Sequence, residues 1–379
     1  MILSKSKKTT IVVTGSRADY GLLKPLIIKL KKKKFFDIRL LVTGAHLEKK
    51  FGLTFKDIIK DKIKIDYKIK IDATSSTKKK ISESFNILIN KASKLVQKIK
   101  PNNVIVLGDR YEIFAFSLAC FLQKIPIIHL AGGEKTPNNY DDVYRDLISK
   151  ISHIHLVTNN TYRKNLLKLG ILKKNIFDVG SLGIDNLFSV KKTDPKKIFQ
   201  DFNIRFSKKY FLITYHPTTN LSKQHNLKEL KNLLEALKKF KEYTLIFTYP
   251  GSDLFSNIII EKIKNFCLTN NHAYLIKSFG SDNYINLARN SSLVIGNSSS
   301  GLSEIPSLKK ISINIGLRQK GRLFGKSVIN TSSQEKNIFD SIRKGLKLSK
   351  NKVYCSGITN PYGNGKSCNK ILKILDNLI

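Results

Sequence analysis

The sequence predicts an α/β protein of two doubly wound domains, each a parallel sheet flanked by helices. Three observations carry that prediction. Short apolar runs rich in Val and Ile alternate with helix-length segments, the rhythm of successive βαβ units. The rhythm breaks at the polar, lysine-rich stretch Ser189–Lys209 and then restarts. The glycine-containing motifs also fall at the carboxyl ends of candidate strands, where doubly wound sheets bind ligands.

In the first series Thr10–Thr14, Ile38–Thr43, Asn103–Leu107, Ile125–Leu130, His153–Val157 and Ile176–Val179 read as strands. Leu22–Lys32, Ser84–Lys98 and Ile113–Gln123 read as helices between them. In the second series the strands are Tyr210–Tyr215, Thr244–Tyr249, Ala273–Ile276, Leu293–Ile295 and Ile311–Ile313. Its helices are Leu227–Phe240, Ser256–Leu268, Asp282–Ala288 and Leu302–Leu308. Two domains of similar size follow, 1–188 and 189–360, joined through the Ser189–Lys209 hinge. The segment 361–379 ends in a helix, Lys366–Ile379, that has no strand after it and could pack back on either domain, the N-terminal one included. Two facing sheets would place a ligand in the cleft between domains.

Composition bounds the function. With 379 residues, 41% apolar and 9% aromatic, the chain is neither disordered nor fibrous and has material for two cores. No run approaches the ~18 apolar residues of a membrane span. The N-terminal lysines before Ile11-Val12-Val13 mimic a signal peptide, but Gly15, Arg17 and Asp19 cut the apolar run short. Cys120, Cys267, Cys355 and Cys368 show no metal-type spacing and read as free thiols of a reducing cytoplasm.

The balance of 68 basic against 28 acidic residues gives +40. That charge invites a nucleic-acid or membrane reading. Only ten of the 68 are arginine, however, and the lysine runs lack interleaved aromatics. Solvated lysine-rich surfaces explain the charge better, and an anionic small ligand remains favoured. Half of the scarce arginines (Arg17, Arg110, Arg145, Arg318 and Arg322) fall inside the motifs that follow.

Thr14-Gly15-Ser16-Arg17-Ala18-Asp19-Tyr20-Gly21 lies between the first strand and its helix, where glycine admits a ligand and free N–H groups favour an anion. It is not G-x-G-x-x-G, so no dinucleotide follows. Leu107-Gly108-Asp109-Arg110-Tyr111-Glu112 sets opposite charges at another strand tip. His129-Leu130-Ala131-Gly132-Gly133-Glu134 is followed by Asp141, Asp142 and Arg145, a carboxylate group suited to proton transfer. As plain structure, Asp141-Asp142 would cap a helix and His129 would be a satisfied core residue. Tyr215-His216-Pro217 ends a strand and puts His216 at the mouth of a sheet. Ile295-Gly296-Asn297-Ser298-Ser299-Ser300-Gly301, with Glu304 beyond, opens a helix with small hydroxyls and free N–H groups, an anion cradle matched to a diphosphate. Glu304 suits ribose hydroxyls. Asn314–Arg322 is a glycine-flanked basic loop. Two near-misses drop out: Asn360–Ser367 lacks the first glycine of a Walker A loop, and His153 with His155 has no partner at metal spacing.

In this order and over nearly the whole chain, the motifs resemble those of the hydrolysing UDP-N-acetylglucosamine 2-epimerases of sialic-acid synthesis, with relatives acting on UDP-diacetylbacillosamine for legionaminic acid. The resemblance implies two Rossmann-like domains of the glycosyltransferase-B type, with the nucleotide held mainly by the second. It implies anti elimination of UDP to a glycal, then addition of water to give the 2-epimeric free sugar, with no cofactor and no metal. It assigns Arg17, Arg110, His216, Ser298, Ser299, Glu304 and Arg318 to the nucleotide diphosphate, Glu304 on the ribose. Asp19, Lys24, Phe279, Asn297, Ser300 and Arg322 complete the substrate-binding set. Asp109, Glu134, Asp141 and Asp142 match the acidic cluster around the sugar and, with His216, form the catalytic set. Ala131 stands where the family carries an ionisable side chain before Gly-Gly, and Asp146 follows Arg145 where His is usual. The resemblance further implies a homodimer or homotetramer, with no nucleic-acid or membrane partner. A glycosyltransferase of the same architecture and a polyanion-binding protein are the rival readings.

Overall fold

A computed structural model of the chain describes residues 7–73, 78–135, 141–218, 221–250 and 255–378. Seven strands form the first sheet: β1 (Lys8–Thr14), β2 (Phe36–Val42), β3 (Tyr67–Lys68), β4 (Asn103–Leu107), β5 (Ile127–Leu130), β6 (Ile154–Val157) and β7 (Ile176–Asp178). Six form the second: β8 (Tyr210–Thr214), β9 (Thr244–Thr248), β10 (Ala273–Ile276), β11 (Leu293–Gly296), β12 (Ser312–Ile315) and β13 (Val328–Thr331). Their orders are β3-β2-β1-β4-β5-β6-β7 and β10-β9-β8-β11-β12-β13. The strand pairs are parallel, with Ile11 beside Arg39 and Val104, and Ile295 beside Ile213 and Ile313. The order reverses between β1 and β4 in one sheet and between β8 and β11 in the other. Ligands of such sheets bind beyond the strand ends at these switch points.

Contacts divide the described residues into one unit of 7–188 with 362–378 and another of 189–361. Both faces of each sheet are buried, which is why the strands read as unbroken apolar runs. In the first unit alternate strand residues serve opposite layers. Val12, Leu40, Ile105 and Ile128 pack beneath the helix Arg17–Lys31, while Ile11, Val13, Val104 and Val106 pack under the helices Lys78–Ile99 and Tyr111–Leu122. The second unit repeats the arrangement, with Phe211, Ile213 and Ile295 on one side and Leu212, Ile246 and Val294 on the other. The terminal helix Ser367–Leu378 adds Cys368, Ile371 and Leu375 to the first unit's core. Asp185 fixes its start, accepting from the Ser367 and Cys368 N–H groups at 2.9 and 2.8 Å.

Several sequence expectations need correcting. The helix expected from Leu22 begins at Arg17, because Ser16 caps it by accepting from the Asp19 N–H at 3.3 Å. The Ser189–Lys209 stretch is not only a hinge: it contains the helix Pro195–Asp201 and buries Ile198, Phe199 and Ile204 in the second unit's core. The expected helix Leu302–Leu308 is instead a four-residue helix, Ser300–Ser303, followed by a 3-10 turn, Ile305–Leu308, which holds Pro306. Proline has no N–H to continue the ladder. Strands β3 and β13 were not foreseen. No helix among the described residues is long and apolar enough to cross a membrane.

Candidate active site

The first unit's switch point is built on a buried ion pair. Glu112, in the first turn of Tyr111–Leu122, is 0% exposed, and its Oε1 accepts from Arg110 Nε at 2.5 Å. The carboxylate lies directly under the β1 turn. A Cβ on Gly15 would stand 3.0 Å from Glu112 Oε1, and one on Gly44 2.9 Å from it. Gly44 also has φ +59°, so glycine is required there on both counts. Asp19 lies close by, accepting from the Gly15 N–H at 3.3 Å. Part of Asp19 reaches solvent, but protein encloses most of it. Burial pushes its carboxyl up to about 6, with Arg110 opposing and Glu112 assisting. Burial works against the charge on Arg110, yet Glu112, Asp19 and Asp141 together hold that guanidinium charged, above the usual arginine range.

A second buried cation gathers the acidic cluster. Arg145, on the helix Asp141–Ile151, is 6% exposed. Its Nη2 pairs with Asp109 at the tip of β4, and its Nη1 donates to Asp142 Oδ1 at 2.9 Å and to the Glu134 carbonyl at 2.7 Å. Glu134 Oε1 also accepts from Thr158 Oγ1 at 3.1 Å, after β6. The guanidinium thereby ties the ends of β4 and β5, and the Glu134 carboxylate links that of β6. His129 is a core residue: one ring nitrogen faces the Gly108 carbonyl at 2.8 Å and the other Ser149 Oγ at 3.1 Å. Burial lowers its pKa to about 3, so the neutral ring braces the β4 tip instead of moving protons. Asp146 is engaged by Lys135. Residues 136–140, before this helix, lie outside the described residues.

In the second unit Asn297 is the organising side chain. It is 1% exposed; its Oδ1 accepts from the His216 N–H at 2.7 Å and its Nδ2 donates to the His216 carbonyl at 2.8 Å. That reciprocal pair locks the end of β8 to the end of β11. The Asn297 carbonyl accepts from Arg318 at 3.0 Å and Gln319 at 2.9 Å, drawing in the basic loop. Gly296 makes the approach possible. Its φ is +138°, and a Cβ would fall 1.9 Å from the Thr214 carbonyl oxygen.

His216 is held neutral: burial, and then Arg318, lower its pKa to about 4. Ser298 and Ser300 share a hydrogen bond at 3.1 Å, and Tyr284 reaches Ser300 at 3.0 Å. The backbone N–H groups of Ser298 and Ser299 have no acceptor among the described residues. The Glu304 carboxylate has no hydrogen-bond partner there either, and burial pushes it up to about 7. Because the helix from Ser300 has four residues, its dipole contributes little; the hydroxyls, N–H groups and Arg318 are what would receive an anion.

The structure thus brings together Asp19 and Arg110; Asp109, Glu134 and Asp142, with Asp141 beside Arg110; and His216, Asn297, Ser298, Ser300 and Arg318. Ser299 caps the short helix, and the Arg322 N–H bonds the Gln319 carbonyl at 3.2 Å. Other expected residues stand apart. Lys24 is paired with Asp61 at 2.7 Å. Arg17 is largely exposed and faces Asp57 at 3.9 Å. The Phe279 ring is core, edge-on to Phe202 at 4.6 Å. Asn297 braces the loops with its whole amide. Glu112, Arg145 and His46 were not singled out as site residues. His46, bonded to Thr14 at 3.0 Å and Thr54 at 2.8 Å, supports the β1 end. The scarcity of arginine was the available signal for Arg145. Among the described residues no group of three His, Cys, Asp or Glu side chains could hold a metal ion.

Residues 28–376 match a protein family described as UDP-N-acetylglucosamine 2-epimerase. A Campylobacter jejuni protein named GDP/UDP-N,N'-diacetylbacillosamine 2-epimerase (hydrolyzing) is 39% identical, over 86% of this chain and 85% of its own. The Escherichia coli polysialic acid biosynthesis protein P7 is 36% identical over 98% and 94%. The crystal structure of a Neisseria meningitidis UDP-GlcNAc 2-epimerase bound to UDP-GlcNAc superposes with a TM-score of 0.77 over 97% of this chain and 100% of that one, at 24% identity. At that identity the superposition speaks for the fold.

Proposed function

The chain belongs to the UDP-N-acetylglucosamine 2-epimerase family, and from that premise we propose that it is a hydrolysing 2-epimerase, converting UDP-N-acetylglucosamine and water to N-acetylmannosamine and UDP. The observation that carries the reading is the Arg145-centred cluster of Asp109, Glu134 and Asp142 at the first unit's switch point; the second unit's own switch point carries loops rich in cations and hydroxyls. The second unit is assigned the nucleotide. Ser298, Ser299, Arg318 and neutral His216 donate to the diphosphate, and Glu304 accepts from ribose hydroxyls. Charge building on the departing UDP is met by donors already in place.

The first unit is assigned the sugar. A carboxylate removes the C2 proton, the C1–O bond breaks with its electron pair leaving on UDP, and a glycal remains. Water then adds across the double bond, its oxygen to C1 and a proton to the opposite face of C2. Arg17, Asp19, Lys24, Phe279 and Arg322 belong to the same proposal as outer members of the substrate-binding set.

The 39% identical relative favours a second substrate, UDP-N,N'-diacetylbacillosamine. Turnover of the two UDP-sugars side by side, without any acceptor, tests both readings. Free 2-epimeric sugar released in step with UDP is the expected result, and the larger kcat/KM names the substrate. A free UDP-ManNAc product, or turnover only on adding an acceptor, would sink the hydrolysing assignment.

A further inference from the structure

Away from the switch point of its own sheet, the outer edge of the first sheet carries a cavity of roughly 900 Å³. Its walls are β7, the preceding 3-10 turn Lys173–Asn175, the helix Asn160–Lys168 and the terminal helix. Arg163, Lys173, Lys174, Lys370 and Lys373 line it, against a single acid, Asp178. Basic residues make up 68 of 379 in the chain but half of the ten lining this cavity, so general lysine richness does not account for the cluster. None of the five has an ion-pair partner among the described residues. Some cations of the unit do have partners, as Lys24 has Asp61 and Lys33 has Asp376 at 2.8 Å; here five stand together with none.

Arg163 adds an independent sign. It is one of only ten arginines, and its Nε is buried with no acceptor among the described residues. A buried donor without an acceptor is unfavourable, and the guanidinium that carries it lines the cavity. The floor is apolar, lined by Phe177, Ile374 and buried Ile176.

Like charges crowded without counterions repel, and an anion bearing several charges relieves that repulsion at all of them together. A planar guanidinium and four ammoniums suit phosphate oxygens. We propose that this cavity is a polyphosphate site, taking a small molecule whose phosphate chain lies on the basic rim. A nucleoside triphosphate would also lay its base on the Phe177–Ile374 floor; an inorganic polyphosphate would use the rim alone. The site is separate from the one proposed for the UDP-sugar.

The test is calorimetric titration of the full chain with ATP and, separately, with pyrophosphate, both in saturating UDP so that the substrate site is filled. One ATP-binding class is expected, weakened at least about tenfold by K370E/K373E and several-fold by R163A, and weakened by added salt. Tighter binding of ATP than of pyrophosphate assigns the nucleotide, and equal affinities assign the inorganic chain. Both variants keep the wild-type melting temperature and UDP affinity if they act locally. Absence of ATP and pyrophosphate binding in saturating UDP, or affinity unchanged in K370E/K373E and in R163A, overturns the proposal.

Discussion

At the scale of single residues the chemistry turns on which groups titrate near neutral pH. His216 does not, since its imidazole is neutral down to about pH 4. Glu304 does, at about 7. If its carboxylate accepts ribose hydroxyls, binding favours the ionised form, and UDP affinity climbs as pH rises toward 7 and levels off above it. We expect a gain approaching tenfold between pH 6 and 8, from the fraction ionised, with Glu304→Gln flat over that range once the titration of UDP itself is subtracted. A wild-type profile as flat as the variant's would remove Glu304 from the nucleotide.

Asp109 is the leading candidate for the C2 base, because a rigid strand tip and Arg145 aim it. Asp109→Asn keeps an acceptor for Arg145 and loses the base. It should bind UDP nearly as wild type, lose about 10²-fold or more in turnover, and fail to exchange the C2 proton in D₂O. Exchange at the wild-type rate would pass the role to Glu134. The motif residues themselves were legible in the sequence. Arg145's partners were not, since Asp109 stands 36 positions away and only folding brings the two together.

At the scale of elements, legibility followed length and periodicity. Strands such as β1, β4 and β8 announced themselves as apolar runs. A two-residue strand such as β3 carries no pattern, and β13 buries only Val328 fully. The helix Leu302–Leu308 failed because periodicity says nothing of Pro306. The terminal helix was readable as a helix, but what holds it was not. Its anchor is Asp185, whose two oxygens meet two of the N–H groups that no helix can satisfy internally. Asp185→Ala leaves those buried donors unmet and should cost about 1–3 kcal/mol in urea unfolding. Cys368, 0% exposed and with its thiol pushed by burial up to about 12, is a built-in reporter. Its labelling by a thiol reagent should quicken in the variant while that of Cys120 does not. Equal acceleration at both cysteines would mean global loosening, not release of this helix.

At the scale of the whole molecule the two-sheet plan was legible because the βαβ rhythm restarts, whereas Ser189–Lys209 misled because its lysines hide Ile198, Phe199 and Ile204. Seven histidines in a chain of +40 gave no hint of an acid response, because burial decides it. In the first unit His46, His129 and His155 are all 0% exposed, and burial lowers them to about 4, 3 and 4. Each is neutral in the folded protein, whereas the unfolded chain takes up a proton near the ordinary value of 6.5. The unfolded state therefore binds more protons below 6.5, so stability is full above that pH and falls as pH drops toward 4. The second unit carries fewer such groups, with His216 lowered to about 4 and His272 lowered as well. Surface repulsion also grows in acid as carboxylates are protonated, but salt screens it and does not screen a buried imidazole. Hydrogen exchange at pH 5 and high salt, corrected for intrinsic rates and compared with pH 7, should show β1, β5 and β6 losing protection before β8 and β11. The reverse order, or a loss that salt abolishes, would place the acid response in surface charge instead of the buried histidines.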